Sequence, residues 1–101
     1  MGALEKVPGN QNWIDKLPPS LKARWHRSII YRAAVHMHRE RGMPVGMAIA
    51  SAINWARHIA RTGDVKQWKG PQSVNPKSRA ECVSALATWE AMKAAARASK
   101  G

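Results

Sequence analysis

Apolar residues in this chain recur at intervals of three and four and nowhere alternate with a period of two, which predicts helices and no strands. Ser20 follows Leu17-Pro18-Pro19 and can cap a long helix over about 20–41, with Gly42 as its stop. Ile29, Ile30, Ala33 and Met37 share one face of it. Arg24, Arg27, Tyr31, His38 and Arg39 lie opposite, with Arg32 on the flank, so its outer face is basic. Pro44 suits the first turn of a second helix over 44–62, where Val45, Ile49, Ala52, Ile53, Ala56 and Ala60 form a stripe and Gly63 is the stop. The small residues Gly46, Ala48, Ala50, Ser51, Ala52, Ala56 and Ala60 allow another helix to approach closely, within the domain or in a homo-oligomer. Asn75-Pro76 has the chemistry of a cap and first turn for a third helix over 76–97, with Cys82, Ala85, Leu86, Trp89, Met92 and Ala96 facing inward.

Between these helices, residues 63–74 read as a surface loop. Ahead of them, Asn12 can cap a short turn ending at Lys16, and residues 1–11 lack periodicity, as a flexible N-terminal arm would. The expected fold is all-α: a single three-helix domain over 12–98 with a short N-terminal helical turn, followed by a tail at 99–101.

Composition narrows this picture. A chain of 101 residues makes one small domain. Its hydrophobic fraction is 45%, with Ala prominent and Phe absent, so the five Trp must supply the bulk that Leu, Ile, Val and Met cannot. Cys82 is the only cysteine, which precludes an intrachain disulfide and gives no sign of an oxidising compartment. The start, with Glu5, Pro8 and Gly9 and no apolar run, does not resemble a signal peptide, and no membrane span or membrane partner is expected.

Charge changes the picture more. Seventeen Lys and Arg against six Asp and Glu give a formal charge of +11, which calls for an anionic partner. The densest part lies on the first helix, at Lys22, Arg24, Arg27, Arg32 and Arg39. Arginine suits phosphate because its planar fork matches two oxygens at once. Lys66 and Lys69 flank Trp68 on the loop, where an exposed indole could stack on a base. Sequence-specific reading by a helix-turn-helix fits less well, because the second helix would expose Met47, Ser51, Asn54 and His58 to the groove. Backbone-directed binding to DNA, or to an acidic protein surface, fits better.

Catalytic chemistry finds no foothold. The acids are scattered, and Glu81 and Glu90, nine apart, fall about 180° apart around a helix. Cys82 sits on the inward stripe. The stretch Gly63 to Gly70 lacks the spacing of a phosphate-binding loop. His36 and His38 diverge by about 200°, and no His or Cys pair has zinc-finger spacing. No catalytic residue, metal or cofactor is expected.

Four stretches carry a resemblance: Asn12-Trp13-Ile14-Asp15-Lys16 ahead of Leu17-Pro18, Ala48-Ile49-Ala50-Ser51-Ala52, Val74-Asn75-Pro76-Lys77-Ser78-Arg79-Ala80 and Ala87-Thr88-Trp89-Glu90-Ala91-Met92-Lys93-Ala94. Together they resemble a small helical module of actinobacteriophage virion and head-assembly proteins, from which this chain differs in its longer, Arg- and His-rich first helix and in Trp25. A weaker similarity joins Leu17-Pro18, Ile30-Tyr31-Arg32-Ala33-Ala34 and Ala52-Ile53-Asn54-Trp55 to the ChaB family of small helical proteins. The resemblance implies a non-enzymatic phage protein of the virion or of head assembly, whose basic face meets DNA or an acidic phage protein. The alternative is an early phage protein in the host cytoplasm that binds nucleic acid or an acidic host protein.

Overall fold

Ser28 divides the first long helix in two. The computed structural model describes residues 12–99, so the arm expected over 1–11 and the tail residues 100 and 101 lie outside the described residues. Among the described residues all regular structure is helical, but there are four α-helices where three are expected: α1 (Pro19–Arg27), α2 (Ile29–Arg41), α3 (Val45–Thr62) and α4 (Arg79–Ser99). Ser28 is extended, at φ −71° and ψ 151°. Its hydroxyl donates to the Trp25 carbonyl at 2.8 Å and accepts the Tyr31 amide at 3.2 Å. One side chain thereby closes α1 and caps α2, replacing the backbone bonds that a continuous helix would have made there.

The other boundaries follow from local chemistry. Helix α1 starts at Pro19, one residue earlier than expected, because the Pro18 carbonyl accepts the amides of Leu21 and Lys22 at 3.1 and 3.0 Å. Proline's fixed φ suits a first helical position. Gly42 and Gly63 end α2 and α3 in the left-handed conformation, at φ 66° and 75°. Helix α4 starts at Arg79, three residues later than Asn75-Pro76 suggests. Ser78 Oγ accepts the Glu81 amide at 3.3 Å, and Glu81 Oε1 accepts the Lys77 amide at 2.8 Å. This is a capping box over Ser78-Arg79-Ala80-Glu81, shifted by one residue at its return bond.

Helices α2, α3 and α4 pack on one another, and α1 lies across α2 and α4. Breaking the first helix lets Trp25, Ile29 and Ile30 all be fully buried. Trp25 meets Trp89 and Tyr31 with ring centroids 5.5 and 5.4 Å apart, and Trp13, on the 3-10 turn Asn12–Lys16, covers Trp89 at 5.6 Å. Tyr31, expected on the outer face, is drawn half inside by this contact. Among the described residues Trp25 Nε1 has no hydrogen-bond partner. Leaving that donor unsatisfied costs about 1–3 kcal/mol, whereas burying an aromatic surface of this size contributes about 4–6 kcal/mol. Burial wins.

The loop after α3 is not the open surface segment that its composition suggests. It forms two 3-10 turns, Val65–Gln67 and Gln72–Val74, and Trp68 between them is only 5% exposed. Trp68 Nε1 donates to the Pro71 carbonyl at 3.1 Å, and the ring meets Trp55 edge-on at 5.6 Å. Gly70 makes room for both rings: a Cβ there would stand 2.6 Å from Trp68 and 2.7 Å from Trp55. Gly70→Ala is therefore expected to lower unfolding stability by about 1–3 kcal/mol in urea denaturation, as overpacking does. An unchanged midpoint would mean that the loop carries its tryptophan elsewhere.

Candidate anion-binding groove

The α1–α2 break also shapes a groove of about 240 Å³ against α4. Arg24 and Arg27 are one turn apart on α1, and Ser28 and Ile29 form the floor at the junction. The opposite wall is a single face of α4 made by Glu81, Ser84, Ala85 and Thr88, at the three- and four-residue spacing of one helical stripe. Small residues at 84 and 85 keep the groove open.

Hydrogen bonding divides its polar groups into occupied and available ones. The Ser28 hydroxyl is spent on the helix break. Thr88 Oγ1 donates to the Ser84 carbonyl at 3.1 Å and accepts a long 3.4 Å bond from Arg24 Nη2. Glu81 Oε2 receives Arg32 Nη2 at 2.6 Å while Oε1 caps α4, so this one carboxylate is engaged at both oxygens. Arg27 makes no ion pair or side-chain hydrogen bond among the described residues, and neither does the exposed Ser84 hydroxyl. Two guanidiniums and a hydroxyl therefore face a small space with their bonding capacity largely free.

The sequence-selected residues separate accordingly. Arg24 and Arg27 line the groove, and Arg32 reaches it through Glu81. Lys22 is half-buried on α1, and Arg39 is exposed two turns beyond Arg32 on α2. Lys66 and Lys69 are exposed, but their loop packs on α3 and they do not line the groove. Trp68 is buried and cannot stack on a base, which corrects the expectation that it is a contact residue. Arg79, not singled out by its pattern, donates from Nε to the Ala60 carbonyl at 2.6 Å and closes the end of α3, where a cation also suits the helix dipole. A larger depression of about 730 Å³ between Trp13, Leu17 and Pro18 and the end of α4 is mostly apolar and carries Lys16 as its one cation.

Two histidines serve the fold. His38 Nδ1 bonds the Met43 carbonyl at 2.9 Å, and His58 Nε2 bonds Gln67 Oε1 at 2.8 Å. Among the described residues no group of three or more His, Cys, Asp and Glu could hold a metal ion, and no helix is long and apolar enough to cross a membrane. Cys82 is fully buried, and burial, with the adjacent Glu81 charge, pushes its thiol up to about 11 from an ordinary 9.0. Such a thiol is a poor nucleophile.

That shift has a sign. The unfolded chain loses the Cys82 proton first as pH rises, so the thiol's contribution is complete below pH 9 and is lost between about 9 and 11. Urea midpoints compared with Cys82→Ala should show the parent losing more stability than the variant over that interval. Parallel decline in the two proteins would refute it. No family model, curated protein or solved structure matches the chain, so the chemistry of the groove rests on its own residues.

Proposed function

We propose that this protein is a non-enzymatic binding module whose basic α1–α2 face contacts the backbone of DNA. The observation that carries the reading is that most of the charge there has no ion-pair partner, although Arg32 is paired with Glu81 and Glu40 lies beside Arg39 on α2. Arg24, Arg27 and Arg39 are exposed and have no acidic partner among the described residues, whereas the two ion pairs of the described chain, Arg32 to Glu81 and Lys93 to Glu90, both engage α4. A solvated helix face would ordinarily interleave both signs. DNA, with one charge per ~1.7 Å of axis, is the polyanion best matched to several exposed guanidiniums without ion-pair partners. With Trp68 inside the fold, base stacking plays no part in this reading, which favours phosphate contacts.

The setting rests on the resemblance of most of residues 12–98 to the actinobacteriophage module, and we place the contact in a virion or during head assembly. Mass spectrometry of purified particles should find the chain; its absence would favour the early, host-directed role instead.

The binding itself is tested by affinity for a mixed-sequence duplex across a salt series. Replacing Arg24, Arg27, Arg32 and Arg39 with Ala should reduce the slope of log affinity against log salt by about 3–4, close to one unit per lost phosphate contact. Equal slopes for parent and variant would contradict the reading.

A further inference from the structure

Resting on that DNA-binding reading but going beyond it, we propose that the groove between the α1–α2 break and α4 is a built seat for a single phosphate group, held between Arg24, Arg27 and Ser84. Size is the first argument. At about 240 Å³ the groove falls below the ~300–1,000 Å³ of pockets that enclose whole small molecules. It has room for one tetrahedral anion and part of its hydration. A polymer can place one phosphate inside while the rest of its chain stays outside.

Donor supply is the second argument. Arg27 has no internal partner among the described residues, and Arg24 is held in place only by the 3.4 Å bond to Thr88. The Arg27 fork therefore stands ready without a bond that must first be broken, and Arg24 gives up at most one long one. The Ser84 hydroxyl offers a third donor from the opposite wall. Ile29, which lies in the floor, is the first residue of the 13-residue helix α2, and its amide has no acceptor within the helix.

Charge selection is the third. Glu81 is the one acidic residue in the lining, and it repels an anion. Arg32 offsets it from 2.6 Å, so the neighbourhood holds three guanidiniums against one carboxylate. The residue that caps α4 thus also limits how tightly the seat holds an anion.

The test uses the full chain and amide-resolved NMR, with inorganic phosphate, a short mixed-sequence duplex and an acidic peptide as separate probes. Phosphate is expected to shift the amides of Arg27, Ile29, Ser84 and Ala85, and the duplex to shift the same set. Arg27→Ala should abolish the phosphate response and lower the salt slope for duplex by about 1. Arg57→Ala, which removes an equal charge from exposed α3, should leave the phosphate response intact. Glu81→Gln keeps an oxygen for the Lys77 amide while removing the charge, and should tighten duplex binding by roughly fivefold, more than Glu90→Gln does. Phosphate shifts without duplex binding would support the seat and overturn the DNA reading. Duplex binding that leaves the groove amides unmoved would overturn the seat and keep the DNA reading. Equal response to the acidic peptide and to phosphate would overturn the assignment to phosphate.

Discussion

The two hydrogen bonds of the Ser28 hydroxyl govern both the inside and the outside of this molecule. A continuous helix from Pro19 to Arg41 would be a straight rod of about 34 Å at 1.5 Å per residue, able to lay only one stripe on its neighbours. By ending α1 on the Trp25 carbonyl and restarting α2 under the Tyr31 amide, Ser28 divides the rod into two short helices, α1 packing on α2 and α4 and α2 packing on α3 and α4. Trp25 then enters between α2 and α4, and Ile29 and Ile30, adjacent in sequence, are both buried. A core without phenylalanine depends on this. Its bulk comes from Trp25 and the partly buried Trp13 and Trp89, held in tilted and edge-on contacts, and from a second pair, Trp55 and Trp68, that closes over Gly70.

The same break fixes the outer surface. Because α1 turns away at Ser28, Arg24 and Arg27 stand at the edge of a groove instead of along an open helix face, and α4 supplies the opposite wall. Glu81 joins the two levels of organisation. Its Oε1 secures the start of α4, while its Oε2 ties α4 to α2 through Arg32. An exposed ion pair of this kind contributes about 0–1 kcal/mol, so its larger consequence is positional: it sets where the negative charge lies beside Arg24 and Arg27, which have no ion-pair partner among the described residues.

Much of the fold is legible in the sequence wherever a stop or a stripe is explicit. Gly42 and Gly63 end helices as their chemistry dictates, and the expected α3 stripe is buried from Val45 to Ala56, with its last member Ala60 half-buried. Ser28 is less legible, because a serine inside an amphipathic pattern carries no Gly or Pro to mark a break, and the contact of Trp25 with Trp89 that the break accompanies is not visible from spacing. The start of α4 is legible in Ser78-x-x-Glu81, which competes with Asn75-Pro76 for the same role and wins because it satisfies two amides. Trp68 shows the opposite limit. Lysines on both sides suggest exposure, but the Pro71 carbonyl and the edge of Trp55 reward burial, and neither is visible from spacing. In the groove, charge alone picks out Arg24 and Arg27, whereas Ser84, Glu81 and Thr88 emerge only when α4 is placed opposite them.

The dependence of core and groove on Ser28 is tested most directly by carbon chemical shifts and amide protection across residues 22–34 of the free protein in solution. Helical shifts should stop at Arg27, turn extended at Ser28 and resume at Ile29, with the Tyr31 amide protected by the serine hydroxyl. Unbroken helical shifts through Ser28 would contradict the account, because they would leave neither the entry of Trp25 nor the groove between Arg24, Arg27 and α4.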